Sequence, residues 1–335
     1  MQMYLPAVEA ELRRAVAPAG SQNLQGLQDM LTYHMGLEGE GAGPEAAGKR
    51  IRPLLVLLSA SAFGEDWERA LPAAASVELI HNFSLIHDDI EDNSPTRRGR
   101  PTLWKKWGIA QAVNAGDALF TLAHLALLRL EETVSPPVAL QAARLLQDTC
   151  LQLTQGQYLD LSYETRRDLK LEDYWPMVNG KTGALLSASA RLGAVVARAT
   201  GAQAEKLGEF GRALGLAFQA QDDLLGIWGD AALTGKSADS DLIAGKKSLP
   251  VLFGLAQNGP FNRRWLQGPV HEDEVQALAV QLEAEGARAY TQGEVERLTG
   301  EALGALQLAL PDDMAGNPAR DALHALALKL VRRTA

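Results

Sequence analysis

Apolar residues recur at intervals of three and four along most of this 335-residue chain. The spacing is clear in LPAAASVELIHNFSLIHDD, DALFTLAHLALLRLEE, EKLGEFGRALGLAFQAQDDLLG and RDALHALALKLVRR. It predicts helices, and no segment shows the sustained apolar and polar alternation that predicts strands. Several of these helices are apolar on more than one face, which predicts that they are buried all round. We therefore expect an all-α fold in one domain over residues 1–335, with two smaller helical domains as the alternative.

Composition excludes several classes of protein. Hydrophobic residues make up 47% of the chain, which is enough to build a sizeable core. A net charge of −9 argues against general nucleic-acid binding, because neutralising phosphates requires a basic surface. The single cysteine, Cys150, cannot form an internal disulfide and fits a reducing compartment. No signal peptide and no run of about 18 apolar residues is present, so we expect a cytoplasmic protein without a transmembrane segment.

Two of the predicted helices end in paired aspartates, as DDIED at residues 88–92 and DD at residues 222–223. Asp88 and Asp92 are four residues apart, so they share a helical face and repel each other near an unfavourable helix end. A bound cation would offset that cost, and oxygen-only ligands suit Mg²⁺ shared with substrate phosphates. Either cluster alone could be a solvated acidic helix end. Two of them suggest facing walls of one metal-bridged cavity.

Basic residues lie in glycine-containing loops or at helix starts, in GKRIRP, RRGR, NGKTGAL and TGKSADSDLIAGKKSLP. Arginine binds phosphate through two parallel hydrogen bonds and lysine binds it as a point charge. One basic doublet alone is more often a solvated loop. Together with two acidic clusters, the cations predict a polyanionic, metal-bound ligand, and a diphosphate has both properties. The apolar helices leading to the site predict a hydrophobic tail on that ligand.

These motifs resemble those of the trans-isoprenyl diphosphate synthases, the polyprenyl synthetase family. LIHNFSLIHDDIEDNSPTRRGRPT resembles the first aspartate-rich motif with its trailing arginines, and FQAQDDLLGIWGD resembles the second. GKRIRP, GKTGAL and TGK…SDLIAGKKSLP match the other family signatures in order. The resemblance implies a single-domain isoprenoid synthase helical bundle with a central cavity between two aspartate-rich helices, usually as a homodimer. It implies Mg²⁺-dependent, head-to-tail transfer of an allylic prenyl group to isopentenyl diphosphate, with release of pyrophosphate.

The resemblance also implies roles for individual residues. The metal ligands would be Asp88, Asp89, Asp92 and Asp222, with Asp223 as a weaker candidate. The allylic diphosphate would be held by Arg97, Lys181, Lys236 and Lys246. Isopentenyl diphosphate would be held by Lys49, Arg52, His81 and Arg98. The catalytic set would be Lys181 with Thr182 and Gln219, the last two offering oxygen dipoles near the developing carbocation.

Product length depends on the side chains that precede the first aspartate motif. Phe83 lies five residues before Asp88, and the motif has no insertion between its aspartates. In the family this pattern resembles a geranylgeranyl diphosphate synthase, because an aromatic ring there would stop chain growth. The small Ser84 leaves room that weighs against a farnesyl product. A farnesyl or longer product remains the alternative, in which Phe83 only packs the core and another helix forms the floor.

The second motif departs from the family pattern. Gly226 stands where many members have a third aspartate, and Asp230 could share the motif's face two helical turns on. Asp239 replaces a glycine near the expected diphosphate site. These departures keep open a non-catalytic subunit that binds prenyl diphosphates. A class I terpene cyclase is disfavoured, because it would not need the second diphosphate pocket that GKRIRP and His81 imply.

Overall fold

The computed structural model describes residues 3–21, 23–64, 66–229, 240–310 and 316–331 of the chain. Across these residues the structure is α-helical, with short 3₁₀ segments, one π-helical segment and one small hairpin. In chain order the α-helices are Tyr4–Val16, Gln25–His34, Pro44–Ala47, Ile51–Ser61, Leu71–Glu91, Leu103–Trp107, Ile109–Leu128, Pro136–Thr165, Tyr174–Val178, Ala184–Val196, Gly201–Trp228, Ser240–Ile243, Leu249–Ala256, Pro260–Trp265, Val275–Ala284, Ala287–Ala309 and Pro318–Val331. The 3₁₀ segments are Ala17–Ala19, Trp67–Ala70, Arg129–Glu132, Leu171–Asp173 and Glu272–Glu274. Within the described ranges, no helix combines the length and the apolarity needed to cross a membrane.

The hairpin consists of strands Thr96–Arg97 and Arg100–Pro101, paired antiparallel with Arg97 opposite Arg100. Its two turn residues, Arg98 and Gly99, both have positive φ angles, of 51° and 72°. Two consecutive left-handed residues are the geometry of the tightest hairpin turns, which favour glycine at the second position. The RRGR sequence therefore folds into a turn that presents Arg97 and Arg98 on short, fixed backbone.

The chain divides into two compact units. The first comprises residues 1–150, 188–205 and 317–320, and the second comprises residues 151–187, 206–316 and 321–335. The expectation of a single domain over the whole chain stays a prediction. Each unit contains one acidic cluster, carried on the first aspartate helix, Leu71–Glu91, or on the second aspartate helix, Gly201–Trp228.

The first unit is built around the first aspartate helix. Every residue from Pro72 to Ile80 is buried, so this half of the helix has no face in contact with water. The helix packs against Ile51–Ser61 and Ile109–Leu128. This burial confirms that a helix apolar on several faces lies inside the fold, and it holds the acidic end of the helix on a rigid support.

The second unit contains residues 206–228 of the second aspartate helix. At its C-terminal end, Ile227 packs into a core with Leu242, Val251 and Phe261. Farther back, the glycine at 211 allows close backbone approach, because a β-carbon there would lie 2.3 Å from the carbonyl oxygen of Leu186. The aspartate pair of this helix is thus carried on a well-packed segment, as in the first unit.

Candidate active site

The first aspartate helix ends just after its acidic cluster. Asn93 adopts a left-handed conformation with a φ of 52°. The amide of Ser94 donates to the carbonyl of Asp89 at 2.9 Å, and the amide of Asn93 donates to the carbonyl of Ile90 at 3.2 Å. These two bonds form a Schellman motif, which satisfies carbonyls that the last helical turn would leave unpaired. The reversal turns the chain back, so the following hairpin runs beside the aspartates.

The acidic cluster separates into two kinds of carboxylate. Asp89 is buried, and its carboxylate accepts hydrogen bonds from Nε of Arg97 at 2.8 and 3.0 Å. Burial raises the pKa of Asp89, although the bonds from Arg97 oppose that rise. Asp88 is half-buried and Asp92 is exposed, one helical turn apart. Asp88 and Asp92 can therefore offer oxygens to a cation, whereas Asp89 fixes the guanidinium of Arg97.

The GKRIRP segment is anchored by Arg50, which the sequence grouped with the phosphate-binding cations but to which it gave no individual role. Arg50 forms an ion pair with Glu78 at 2.6 Å, and both side chains are almost fully buried. Its other terminal nitrogen, Nη2, donates to the carbonyl of Met35 at 2.7 Å. Asn82 donates to the same Glu78 oxygen at 3.1 Å. Because Arg50 is buried and committed to these acceptors, it fixes the backbone beside Lys49 and Arg52.

His81 and Arg98 belong to the same unit as GKRIRP. Nη1 of Arg98 donates to the carbonyls of Ala46 and Ala47 at 2.8 and 2.9 Å, which ties the hairpin to the residues before Lys49. Burial lowers the pKa of His81 well below its usual range, and Arg52 and Arg98 lower it further. His81 is therefore neutral at pH 7 and can donate one hydrogen bond. The structure thus brings His81, Arg52 and Arg98, three of the four residues predicted for isopentenyl diphosphate, into one cationic region.

The chain-length candidates lie in an aromatic cluster. The ring of Phe83 is 5.0 Å from that of Phe120 and 4.8 Å from that of His87, between centroids. The ring of Phe120 is in turn 4.5 Å from that of His124. The hydroxyl of Ser84 donates to the carbonyl of His81 at 2.9 Å. The sequence did not mark Phe120 and His124, although their four-residue spacing on an apolar helix is the signal that would have linked them.

In the second unit, Lys181 and Thr182 lie in a π-helical segment, Asn179–Gly183. Single π-turns inside helices are frequent at functional sites, because they re-aim side chains. Nζ of Lys181 donates to Oδ2 of Asp160 at 2.5 Å. Close backbone approach makes this possible, since a β-carbon on Gly156 would lie 2.2 Å from the amide nitrogen of Lys181. Asp160 follows Gly156 by one helical turn, and the sequence did not indicate its pairing with Lys181.

Asp223 is the centre of a buried hydrogen-bond network. Its carboxylate accepts from the hydroxyl of Tyr174 at 2.7 Å and from the amide of Leu249 at 3.0 Å, both on Oδ2. Oδ1 accepts from Nε2 of Gln219 at 2.9 Å, and Oε1 of Gln219 accepts from the hydroxyl of Thr182 at 3.1 Å. Burial raises the pKa of Tyr174 well above its usual range, and the neighbouring Asp223 raises it further. Two predicted catalytic residues are thus in direct contact.

Lys246 lies 3.6 Å from Oδ1 of Asp223 and 3.6 Å from Oδ2 of Asp241. Burial lowers the pKa of Lys246, but these two carboxylates outweigh burial, and the pKa is raised above its usual value. The side chain of Lys246 therefore stays protonated at neutral pH. Lys236, which was predicted to bind the allylic diphosphate, lies outside the described residues, as do Asp230 and Asp239.

Both acidic clusters carry carboxylate oxygens, which are the ligands that a hard divalent metal ion takes. No group of three histidine, cysteine or acidic side chains in the described part of the chain forms a ready-made metal site. Asp88 and Asp92 in the first unit and Asp222 in the second carry hard oxygen donors, and Asp222 is half-buried. An ion such as Mg²⁺ keeps several waters and takes substrate phosphates as ligands, so it does not need a complete protein cage. Asp88 and Asp92 within the first unit, and Asp222 within the second, each fit that mode of binding.

Comparison with known proteins gives the family. Residues 43–282 match the family model described as "Polyprenyl synthetase". The chain belongs to the polyprenyl synthetase family. This polyprenyl synthetase is 41% identical to the "(2E,6E)-farnesyl diphosphate synthase" of Mycobacterium bovis over 281 residues, which cover 81% of this chain and 77% of the relative. It is 44% identical to a "Geranylgeranyl diphosphate synthase" of Mycobacterium tuberculosis over 231 residues, which cover 68% of this chain and 65% of the relative.

A solved structure extends the likeness to the whole fold. The crystal structure of the geranylgeranyl pyrophosphate synthetase from Pyrococcus horikoshii superposes with a TM-score of 0.88 at 32% identity, covering 98% of this chain and 96% of that one. These findings confirm the all-α isoprenoid synthase fold expected from the sequence. They also confirm that this polyprenyl synthetase is an enzyme, a transferase of the trans-prenyltransferase class, in a family that uses a divalent metal ion.

Proposed function

We propose that this polyprenyl synthetase is a Mg²⁺-dependent geranylgeranyl diphosphate synthase. It would add isopentenyl diphosphate head-to-tail to an allylic prenyl diphosphate and release pyrophosphate. The contact between Phe83 and Phe120, at 5.0 Å between ring centroids, carries the choice of product. A growing chain that met this rigid pair would stop, whereas the small side chain of Ser84 leaves more room than a second aromatic ring would.

The proposed metal ligands are Asp88 and Asp92 with Asp222. The ion, when bound, would neutralise charge that grows on the departing pyrophosphate. The burial of Asp89 against Arg97 supports a different role for that aspartate. It would hold the guanidinium in a fixed orientation for the allylic diphosphate.

The proposed cations form two groups. Arg97, Lys181 and Lys246 would bind the allylic diphosphate, each held by an acidic partner that limits its motion. Isopentenyl diphosphate would be bound by Lys49, Arg52, His81 and Arg98. A neutral His81 supports this group, because it adds a hydrogen-bond donor without adding a fourth positive charge to a crowded site.

The proposed reaction begins when the bond between C1 of the allylic group and the diphosphate oxygen breaks, with both electrons leaving on pyrophosphate. The double bond of isopentenyl diphosphate then attacks C1, and a proton leaves the resulting cation to pyrophosphate. The oxygens of Thr182 and Gln219 would stabilise the positive charge during this step. Apolar walls would keep water away from the cation.

A homodimer and a cytoplasmic location are further parts of the proposal. Exposed apolar side chains on Ile109–Leu128 support an interface between subunits: Ile109, Val113, Leu125 and Leu128 are each more than one third exposed. They form two exposed apolar pairs, Ile109 with Val113 and Leu125 with Leu128, near opposite ends of the helix. Exposed apolar side chains of this size are common at protein interaction sites.

The test is a product assay. The purified protein is incubated with isopentenyl diphosphate, Mg²⁺ and, separately, dimethylallyl, geranyl or farnesyl diphosphate, and the dephosphorylated products are sized by chromatography with mass detection. A C20 alcohol is expected, it should vanish on chelation of the metal, and Asp88→Asn should need more Mg²⁺ to form it. A C15 or longer main product would replace the geranylgeranyl assignment. A folded protein that binds farnesyl diphosphate but elongates none of the starters would support the non-catalytic subunit.

A further inference from the structure

The hydrogen bonds around Asp223 have directions that chemistry fixes. An ionised carboxylate can only accept hydrogen bonds, so the side of the Gln219 amide that faces Asp223 must be its nitrogen. The oxygen of the same amide must then face Thr182, at 3.1 Å. Since an amide oxygen only accepts, the Thr182 hydroxyl must donate its proton to Gln219. The lone pairs of the Thr182 hydroxyl therefore point away from Gln219.

Hydrogen bonds use three of the acceptor sites of Asp223, and the fourth faces a cation. A carboxylate has about four lone-pair sites. Tyr174 and the amide of Leu249 take two on Oδ2, Gln219 takes one on Oδ1, and the ammonium of Lys246 lies 3.6 Å from Oδ1. The Asp223 side chain is only 1% exposed. The fourth lone pair, on Oδ1, faces the ammonium of Lys246, so a metal ion could bind there only by displacing that cation or a buried hydrogen bond.

We propose that Asp223 and Tyr174 are positioning residues that orient the dipoles of Gln219 and Thr182, and that Asp223 does not bind the metal. Tyr174 and Leu249 hold the carboxylate in place, the carboxylate fixes the amide of Gln219, and the amide fixes the hydroxyl of Thr182. The outcome is a pair of oxygen dipoles set in one orientation before the substrate ionises. Such preorganisation lowers the barrier because no dipole must turn as charge develops.

The inference rests on the proposed function, in which Thr182 and Gln219 stabilise the allylic cation. Asp223 could be a metal ligand or a positioning residue, and the two roles predict different changes in the kinetics of an Asp223 variant. A metal ligand would change the Mg²⁺ concentration needed for half-maximal activity. A positioning residue would change the maximal rate and leave that concentration and the Michaelis constants of both substrates unchanged.

The decisive variant is Tyr174→Phe, which keeps the buried ring and removes one donor to Asp223. Tyr163→Phe is the matched control, because it removes the hydroxyl of another buried tyrosine of the same unit that lies outside this network. We expect Tyr174→Phe to lower kcat by about threefold to tenfold, the effect of one hydrogen bond, with both KM values within about twofold of wild type. Tyr163→Phe should match wild type.

A binding measurement complements the rates. A prenyl ammonium compound mimics the cation, and its affinity in the presence of pyrophosphate can be measured by calorimetry. Tyr174→Phe should weaken it by the same factor as kcat, while the affinity for pyrophosphate alone stays unchanged. Thermal unfolding of each variant shows that the assays are run on folded protein.

Four outcomes decide the question. Wild-type protein without elongation would overturn the proposed function itself. Active wild type with an unchanged kcat in Tyr174→Phe would overturn only the positioning inference. If Asp223→Asn raised the half-saturating Mg²⁺ concentration about tenfold or more, Asp223 would be a metal ligand. An Asp223→Asn variant with reduced kcat and unchanged Mg²⁺ dependence would support the proposal.

Discussion

A β-carbon placed on Gly226 would lie 2.3 Å from Oδ2 of Asp241, closer than side-chain atoms approach in folded proteins. Gly226 stands where many family members have the third aspartate of the second motif. Here the volume above position 226 is taken by the carboxylate of Asp241, which also lies 3.6 Å from Lys246. The present positions of Asp241 and Lys246 therefore depend on glycine at residue 226. The carboxylate that position 226 lacks is replaced in this space by that of Asp241.

Restoring the aspartate should accordingly not improve the enzyme. We expect Gly226→Asp and Gly226→Ala each to displace the carboxylate of Asp241 from Lys246, which offsets the gain of about 1 kcal/mol that replacing a helical glycine normally brings. Gly300→Ala is the control, because its added methyl would meet nothing within 4 Å in a helix interior and should stabilise by about 1 kcal/mol. Chemical denaturation measures both. A Gly226→Asp variant with higher activity and the full stability gain of Gly300→Ala would contradict this account of Asp241.

The aromatic cluster predicts how product length responds to mutation. Phe83→Ala should shift the main product to one or more additional isoprene units, because it removes the ring that contacts Phe120. Phe120→Ala should act in the same direction, and the double variant should exceed either single one. Phe83→Tyr, which keeps the ring, should leave the product unchanged. Chromatographic sizing of the prenyl alcohols is the measurement. An unaltered distribution of product lengths in Phe83→Ala would show that Phe83 does not limit chain growth.

The two kinds of carboxylate in the first cluster should respond differently to loss of charge. Asp88→Asn should raise the half-saturating Mg²⁺ concentration by about tenfold to a hundredfold if Asp88 is a ligand. Asp89→Asn should instead raise KM for the allylic substrate, since Arg97 would lose its ion pair. The unfolding free energy of Asp89→Asn should fall by about 1–3 kcal/mol, because a partly buried guanidinium is left unpaired. Identical Mg²⁺ profiles for the two variants would contradict the distinction.

His34 predicts a pH dependence of stability. Burial, followed by Arg97 and Arg98, lowers the pKa of His34 from 6.5 to about 3. The folded pKa lies below the unfolded one, so below pH 6.5 the unfolded chain binds a proton that His34 in the folded protein does not, and the free energy of unfolding falls until the pH reaches about 3. At pH 5.5 the loss should be about 1.4 kcal/mol from this residue. Denaturation at pH 7.5 and 5.5 should therefore show a smaller acid destabilisation in His34→Gln than in wild type.

A control separates His34 from the general effect of acid. His324→Gln, on Pro318–Val331, should retain the acid destabilisation of the wild type in full. An equal loss of stability between pH 7.5 and 5.5 in wild type and in His34→Gln would show that the imidazole of His34 titrates normally in the folded state.

The helices and the ordered motifs could be predicted from the sequence, because periodicity and short signatures are local. The partners of the motif residues could not. Asp160 lies 21 residues before Lys181, and Tyr174 lies 49 residues before Asp223, so neither pair has a periodic signal. The different environments of Asp88 and Asp89 could not be predicted either. They depend on which side of the helix end the hairpin with Arg97 packs against. Adjacent identical residues look equivalent until burial and a hydrogen-bond donor distinguish them.

The close approach at Gly156 and Gly180 bears on attempts to alter this enzyme. A β-carbon on Gly180 would lie 2.7 Å from the α-carbon of Gly156, so two backbones touch with no side chain between them. The position of Lys181 is thus set by main-chain contact, which has little freedom to relax. Libraries meant to broaden substrate range can vary the aromatic lining freely. They should keep glycine at residues 156 and 180, since even an added methyl group would push the two backbones apart and move Lys181 away from its present position.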